Sequence, residues 1–64
     1  MPIITMDGPP VADSAAKRTM VETITHAAAN FYGLPPETIV IIIKENRAEN
    51  VAVGGTLISD RPKS

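Results

Sequence analysis

The sequence predicts an α+β fold, built from a β-α-β unit with two parallel strands and one helix, followed by a C-terminal β-hairpin. Two short runs rich in branched aliphatic residues, at 2–6 and 38–44, flank a stretch in which apolar residues recur every three or four positions. A strand, a helix and a second strand in this order require a right-handed crossover, which makes the two strands parallel. We expect residues 1–64 to form a single domain that assembles into an oligomer.

The helix is predicted between a polar cap and a glycine. Asp13 or Ser14 can accept a hydrogen bond from a backbone N–H of the first turn, and Gly33 suits the left-handed conformation that ends many helices. One face of this helix is apolar and is expected to lie in the core; it carries Ala16, Met20, Ile24, Ala27, Ala28 and Phe31. The opposite face is expected to meet solvent; it carries Arg18, Glu22, Thr25, His26 and Asn30.

The second predicted strand, at 38–44, does not alternate between apolar and polar residues. Continuous branched aliphatic residues indicate a strand that is covered on both faces. One helix can cover only one face of the sheet. A chain of 64 residues hides only about 60% of its unfolded surface and this one has no cysteine for disulfides, so we expect a second copy of the chain to cover the other face.

A hairpin is predicted at 51–58. Gly54 and Gly55 separate two short β-prone runs, and the two-residue turns that suit a hairpin need positive φ angles. The polar segment 45–50 before it is expected to form a loop or a short helical turn. Because so small a hairpin is not stable alone, we expect it to pair with the sheet edge of a neighbouring subunit.

Composition argues against several classes of partner and compartment. Six basic and seven acidic residues give a net charge of −1, and the basic residues are scattered, so nucleic acid is not an expected partner. No apolar run approaches the roughly 20 residues of a membrane-spanning helix and no basic stretch leads into an apolar signal segment, so a cytoplasmic protein is expected. One histidine, His26, without cysteine predicts no metal site.

The chain resembles the 4-oxalocrotonate tautomerase family. The resemblance rests on the Met-Pro start, the β-α-β order, the Gly54-Gly55 hairpin and the total of 64 residues, and it covers nearly the whole chain. It implies an isomerase that needs no cofactor and acts on a small acidic molecule. It further implies a homohexamer, built as a trimer of dimers, whose sites are shared between subunits.

The resemblance assigns the chemistry to Pro2, which becomes a free secondary amine once Met1 is cleaved. In that role Pro2 is a general base that moves a proton in a small 2-hydroxydienoic or 2-keto acid. Elementary chemistry agrees, because a free α-amino group titrates near about pH 8 and modest desolvation or a nearby cation brings its pKa towards neutrality. A base whose pKa lies close to the working pH serves proton transfer best.

Three positions depart from the family's pattern. Members that act on dicarboxylates carry an arginine in the loop after the first strand, another early in the second strand, and an aromatic residue before the hairpin. This chain has Ala12, Val40 and Val51 at those places. Losing such a cation can lower the rate of the catalysed reaction by about 100-fold or more, so we expect low activity on the namesake dicarboxylate. Val40 and Val51 are expected to be apolar parts of the substrate site.

Other cations could take the place of the missing arginines. Arg47 lies in the loop before the hairpin and is the candidate that we expect to contact an acidic substrate. Lys44, at the end of the second predicted strand, is the other residue that could approach Pro2 of a neighbouring subunit, and Lys17 and Arg61 are weaker candidates. Each of the four also fits an ordinary solvated surface charge, which needs no functional explanation.

Two other functions fit the same residues. In a dehalogenase-like enzyme a protonated Pro2 would act as an acid while water attacks the substrate. The activity of such an enzyme would decrease as pH rises, whereas the activity of an enzyme with Pro2 as a base would decrease as pH falls. In the other alternative the oligomer is a non-catalytic binding module that has lost its catalytic cations, which the residues Ala12 and Val40 favour.

Overall fold

The computed structural model describes residues 1–62, so the predicted domain of residues 1–64 extends two residues beyond the described part. The helix and strands follow the predicted order and are β1 (Ile3–Gly8), α1 (Ser14–Tyr32), β2 (Val40–Glu45), β3 (Ala52–Val53) and β4 (Thr56–Leu57). Single 3₁₀ turns at Pro36–Thr38, Ala48–Asn50 and Ile58–Asp60 connect or follow them. The predicted α+β fold is confirmed.

Strands β1 and β2 pair in parallel, with Ile3 opposite Val40 at one end and Gly8 opposite Glu45 at the other. Side chains alternate between the two faces of a strand, so alternate pairs share a face. The face under α1 carries half-buried Ile4, Met6, Ile41 and Ile43. The parallel pair that the crossover requires is therefore present.

The strand boundaries differ from the predicted ones by a few residues. Strand β1 continues past residue 6 to Gly8, and the ladder stops where Pro9 and Pro10 bring no backbone N–H. Strand β2 begins at Val40 instead of Thr38, because Thr38 belongs to a 3₁₀ turn. The carbonyl of Pro35 accepts the Thr38 N–H at 3.0 Å and the Thr38 hydroxyl at 2.8 Å, which closes that turn.

Both predicted ends of α1 are confirmed. Asp13 is the N-cap, and its side chain accepts a hydrogen bond from the backbone N–H of Ala16 at 3.1 Å. Gly33 follows the last helical residue with φ 67°, and its N–H donates to the carbonyl of Ala29. Glycine adopts the left-handed conformation at this position without steric cost, since it has no Cβ atom that would clash.

The predicted core face of α1 is wrong at its C-terminal end. Phe31 is 82% exposed and packs edge-to-face on Tyr32, with ring centroids 5.0 Å apart. A helix of 19 residues is about 28 Å long, whereas the six residues of β1 span about 20 Å, so the last turn of α1 overhangs the sheet. The half-buried face is also rotated slightly, since Thr25 is half-buried and Ala27 is exposed.

The predicted hairpin is confirmed, with Gly54 at φ 62° and Gly55 at φ 85° in the turn. It forms its own two-stranded antiparallel sheet, separate from β1 and β2. At its base the Ile58 N–H donates to the Val51 carbonyl at 2.8 Å. The expected short helical turn precedes it as the 3₁₀ turn Ala48–Asn50.

One chain alone buries very little. Among residues 1–62 only Ala29 is buried, at 7% exposure. The face of the β1–β2 sheet opposite α1 is open, with Ile3 56% and Ile42 43% exposed and half-buried Val40 between them. Large apolar side chains gathered on an open sheet face are typical of an interaction surface.

The cap at the start of α1 gives a stability prediction. Asp13→Ala removes the acceptor of the Ala16 N–H and is expected to lower the free energy of unfolding by about 1 kcal/mol. Chemical denaturation followed by circular dichroism measures it. The neighbouring Ser14→Ala variant is the control, because the cap hydrogen bond belongs to Asp13; equal losses in both variants would contradict this assignment.

Candidate active site

Pro2 lies at the amino end of the parallel sheet, immediately before β1. It is half-buried, and its carbonyl accepts a hydrogen bond from the Val40 N–H at 3.0 Å. This bond continues the β1–β2 ladder by one residue and fixes the backbone of Pro2 on the end of the sheet. Met1 precedes it and is 84% exposed; while Met1 is attached, the Pro2 nitrogen is an amide and has no basicity.

Val40 is the candidate residue that the fold brings next to Pro2 in the same chain. The hydrogen bond to the Pro2 carbonyl comes from its backbone, and its side chain lies opposite Ile3 in the ladder. Because registered residues of parallel strands share a face, Val40 stands on the open face of the sheet with Ile42. Within one chain, Val40 is therefore linked to Pro2 through the backbone, while its side chain stands on the face that Ile3 occupies.

Arg47 and Val51 lie at the opposite, carboxyl end of the sheet. Arg47 follows β2 by two residues, is 75% exposed at its side chain, and forms an ion pair with Glu49. Val51 is half-buried and lines a hollow of about 360 Å³ together with residues of three segments, namely Asp7, Gly8, Pro9, Asn46, Ala48 and Ile58. These candidates share one end of the molecule.

The other cationic candidates occupy three different settings. Lys17 forms an ion pair with Glu45, with 3.2 Å between Lys17 Nζ and Glu45 Oε1. Lys44 is exposed and lies opposite Asp7 in the ladder, on the open sheet face. Arg61 is exposed just after the last 3₁₀ turn. Of these cations, Lys17 is held by a carboxylate on another element.

The loop between β1 and α1 is tied to the end of β2 by Glu45. The Val11 N–H donates to Glu45 Oε2 at 2.7 Å, while Oε1 faces Lys17. The hydrogen bond from Val11 and the ammonium of Lys17 hold the pKa of the Glu45 carboxyl below its usual value. The same residues line a mostly apolar cavity of about 370 Å³ between α1 and the sheet, with Met6, Met20 and Ile43.

Pro2 and Arg47 cannot meet within one chain. The five steps of β2 from Val40 to Glu45 alone cover about 16 Å, and Arg47 lies further on. That separation exceeds the reach of a side chain. The candidates fall into an amino-end group, Pro2 and Val40, and a carboxyl-end group, Ala12, Arg47 and Val51, so a site that uses both groups needs at least two chains.

The described residues also limit other kinds of site. No group of three or more His, Cys, Asp or Glu side chains within residues 1–62 is arranged to hold a metal ion, and His26 is exposed. In the same range, no helix combines the length and the apolar character that crossing a bilayer would need.

Comparison with known proteins decides the family. The sequence model of the tautomerase enzyme family matches residues 2–61. The 2-hydroxymuconate tautomerase of Bacillus subtilis is 35% identical over 60 residues, which cover 94% of this chain and 97% of that protein. The chain belongs to the 4-oxalocrotonate tautomerase family. It is accordingly an isomerase of the tautomerase type.

Solved structures that are similar to this chain have the same fold. The crystal structure of DmpI from Archaeoglobus fulgidus superposes with a TM-score of 0.80 and is 46% identical, covering 92% of this chain and all of that one. A crystal structure of another 4-oxalocrotonate tautomerase homologue gives a TM-score of 0.87 at 28% identity, covering 98% of this chain and all of that one. The architecture is thus shared along nearly the whole tautomerase chain.

One polar contact of this tautomerase has no local signal in the sequence. Glu45 is separated from Val11 by 34 residues, and nothing in the local pattern pairs them. The acid at the end of β2 and the lysine in the first turn of α1 come together only because parallel pairing brings the end of β2 beside the start of the helix.

The Glu45 contacts predict how stability depends on pH. The folded-state pKa of Glu45 is lowered, so its contribution is complete above the unfolded value of about 4.3 and is lost as pH falls through the folded value. The free energy of unfolding of the wild type should therefore exceed that of Glu45→Gln at pH 7, and the difference should shrink below about pH 4. Urea denaturation at both pH values measures this, and a difference that grows on acidification would contradict it.

Proposed function

We propose that this tautomerase transfers a proton within a small 2-hydroxydienoic or 2-keto acid, with Pro2 as the general base after Met1 has been cleaved. The amine takes the proton of the enol hydroxyl, and the resulting ammonium returns a proton to a carbon of the conjugated chain, which leaves the 2-keto form. No electron is gained or lost, so the step needs no redox cofactor. Family membership supports the reaction class.

The observation that carries the proposal is the position of Pro2. Its carbonyl is engaged by Val40 at 3.0 Å, whereas its ring nitrogen lies outside the ladder. Pro2 is half-buried, and desolvation disfavours a charged ammonium and lowers the pKa of an amine, which favours a free base at neutral pH. An exposed Met1 is accessible to the peptidase that must remove it.

The working unit in this proposal is an oligomer with shared sites, a hexamer in keeping with the family resemblance. Two facts support it. One chain leaves Ile3 and Ile42 open on the sheet face opposite α1, and it holds Pro2 and Arg47 at opposite ends. A second copy on the open face covers the apolar residues, and a neighbour's carboxyl end can complete the site around Pro2.

The preferred substrate in this proposal carries one carboxylate. Val40 stands beside Pro2 where dicarboxylate-specific relatives are expected to have an arginine, and Ala12 replaces the arginine of the β1–α1 loop. An uncompensated second carboxylate near Val40 would lose its hydration without gaining a cation. Phenylenolpyruvate, with one carboxylate, and 2-hydroxymuconate, with two, are suitable test substrates.

Substitution of Pro2 tests the reaction. Pro2→Ala keeps an N-terminal amine but replaces the secondary ring amine by a primary one, and kcat/KM for phenylenolpyruvate is expected to fall at least about 100-fold. For the wild type, kcat/KM should decline as pH falls through the pKa of the amine, because the protonated form is no base. Intact mass must first show that Met1 is absent. Equal rates for the two proteins would contradict the proposal.

Arg47 is proposed to bind the substrate carboxylate. Its guanidinium is exposed and paired only with the exposed Glu49, so it is free to exchange that partner for a substrate. Arg47→Ala should raise KM roughly tenfold with little change in kcat, as expected when one charge-assisted hydrogen bond worth about 1.5 kcal/mol is lost. Arg18→Ala, on the exposed face of α1, is the matched control. Unchanged kinetics in Arg47→Ala would remove Arg47 from the site.

The same two variants can be mixed to check whether sites are shared. Co-refolded Pro2→Ala and Arg47→Ala chains form some sites with an intact Pro2 from one chain and an intact Arg47 from another. Such a mixture should exceed the mean kcat/KM of the separate variants at equal total protein. A mixture that only equals this mean would indicate that both residues of a site come from one chain.

A further inference from the structure

The β1–α1 loop, residues 9–13, has very few ways to fix its own backbone. Pro9 and Pro10 have no N–H, so Val11 supplies the first backbone donor after Gly8. That donor is used: the Val11 N–H reaches Glu45 Oε2 at 2.7 Å. Within residues 1–62 this is the hydrogen bond that ties the middle of the loop to another element.

The acceptor is itself held in place. Glu45 Oε1 lies 3.2 Å from Lys17 Nζ, so each carboxylate oxygen has its own partner. The side chains of Lys17 and Glu45 are 35% and 34% exposed, which leaves them partly shielded from solvent. Lys17 is fixed in turn, because its backbone N–H donates to the carbonyl of the cap residue Asp13 at 3.1 Å.

The loop that Glu45 holds faces the carboxyl-end group of candidates. Pro9 lines the hollow of about 360 Å³ together with Val51, and Ala12 belongs to the same loop. Both ends of the loop are anchored, by Asn46 N–H on the Gly8 carbonyl at 2.8 Å and by the Asp13 cap. Because position 12 is an alanine, the loop brings no cation to this end of the molecule. It contributes through the position and shape of its backbone.

We propose that Glu45 is a positioning residue of the tautomerase site. By holding Val11, it keeps the β1–α1 loop against the hollow beside Val51, the wall that faces Pro2 of a second copy. The inference rests on the proposed role of Pro2 and on shared sites, and it extends that function to a residue that touches no reacting atom.

Three substitutions of Glu45 separate its two contacts. Glu45→Ala removes both, and kcat/KM for phenylenolpyruvate is expected to fall about 10- to 100-fold, since small misplacements of a site wall carry losses of this size. Glu45→Gln loses the ion pair but can still accept from Val11, and should stay within about threefold of the wild type. Glu45→Asp keeps the charge on a shorter side chain that draws back from Val11, and should fall with the alanine variant. Glu22→Ala, exposed on α1, is the control.

Hydrogen exchange of the Val11 amide provides a readout that does not depend on activity. Its exchange should be slow in the wild type and in Glu45→Gln, and clearly faster in Glu45→Ala and Glu45→Asp. Equal exchange in all four proteins would overturn the proposed contact. A glutamine variant as impaired as the alanine variant would show that the ion pair, not the Val11 bond, carries the effect, and would also overturn the proposal.

The kinetic outcomes also distinguish this inference from the function on which it rests. A wild type no faster than Pro2→Ala would overturn the proposed function and the catalytic part of the role of Glu45. A wild type that depends on Pro2, combined with a fully active Glu45→Ala, would overturn the positioning role alone.

Discussion

Parallel pairing of β1 and β2 is the constraint on which the arrangement of this tautomerase depends. It brings Val40 beside Pro2 through a hydrogen bond of 3.0 Å and carries Glu45 to the far end, beside Gly8 and the start of α1. The candidate residues are thereby sorted into two groups at opposite ends of one sheet. A site that uses both groups therefore needs a second chain.

The second constraint is the small amount of surface that one chain can bury. Only Ala29 is buried within residues 1–62, and the open sheet face carries Ile3 and Ile42. Folding is driven mainly by the removal of apolar surface from water, and a single copy of this chain removes little apolar surface. In the proposed function, association and catalysis draw on the same feature, since a copy that covers the open face belongs to the assembly that supplies the second half of a site.

The sequence predicts structural features that depend on local chemistry. It does not predict features that depend on the relative lengths of helix and strands or on contacts between residues far apart in the chain. Asp13, Gly33 and the Gly54-Gly55 turn lie as predicted, because caps and primed turns are fixed by the conformations open to single residues. Helical periodicity places Phe31 in the core, because it does not reveal that α1 is longer than the strands beneath it. The contact between Glu45 and Val11 spans 34 residues and follows from the register, which no local pattern specifies.

The hydrogen bond between Val40 and Pro2 has a consequence for the proposed removal of Met1. Proline has no N–H to offer the ladder, and Met1 forms no backbone hydrogen bond within the described chain, so cleavage of the initiator residue leaves the sheet intact. In the proposed function, trimming of Met1 therefore requires no rebuilding of the β1–β2 ladder, whether it precedes or follows assembly.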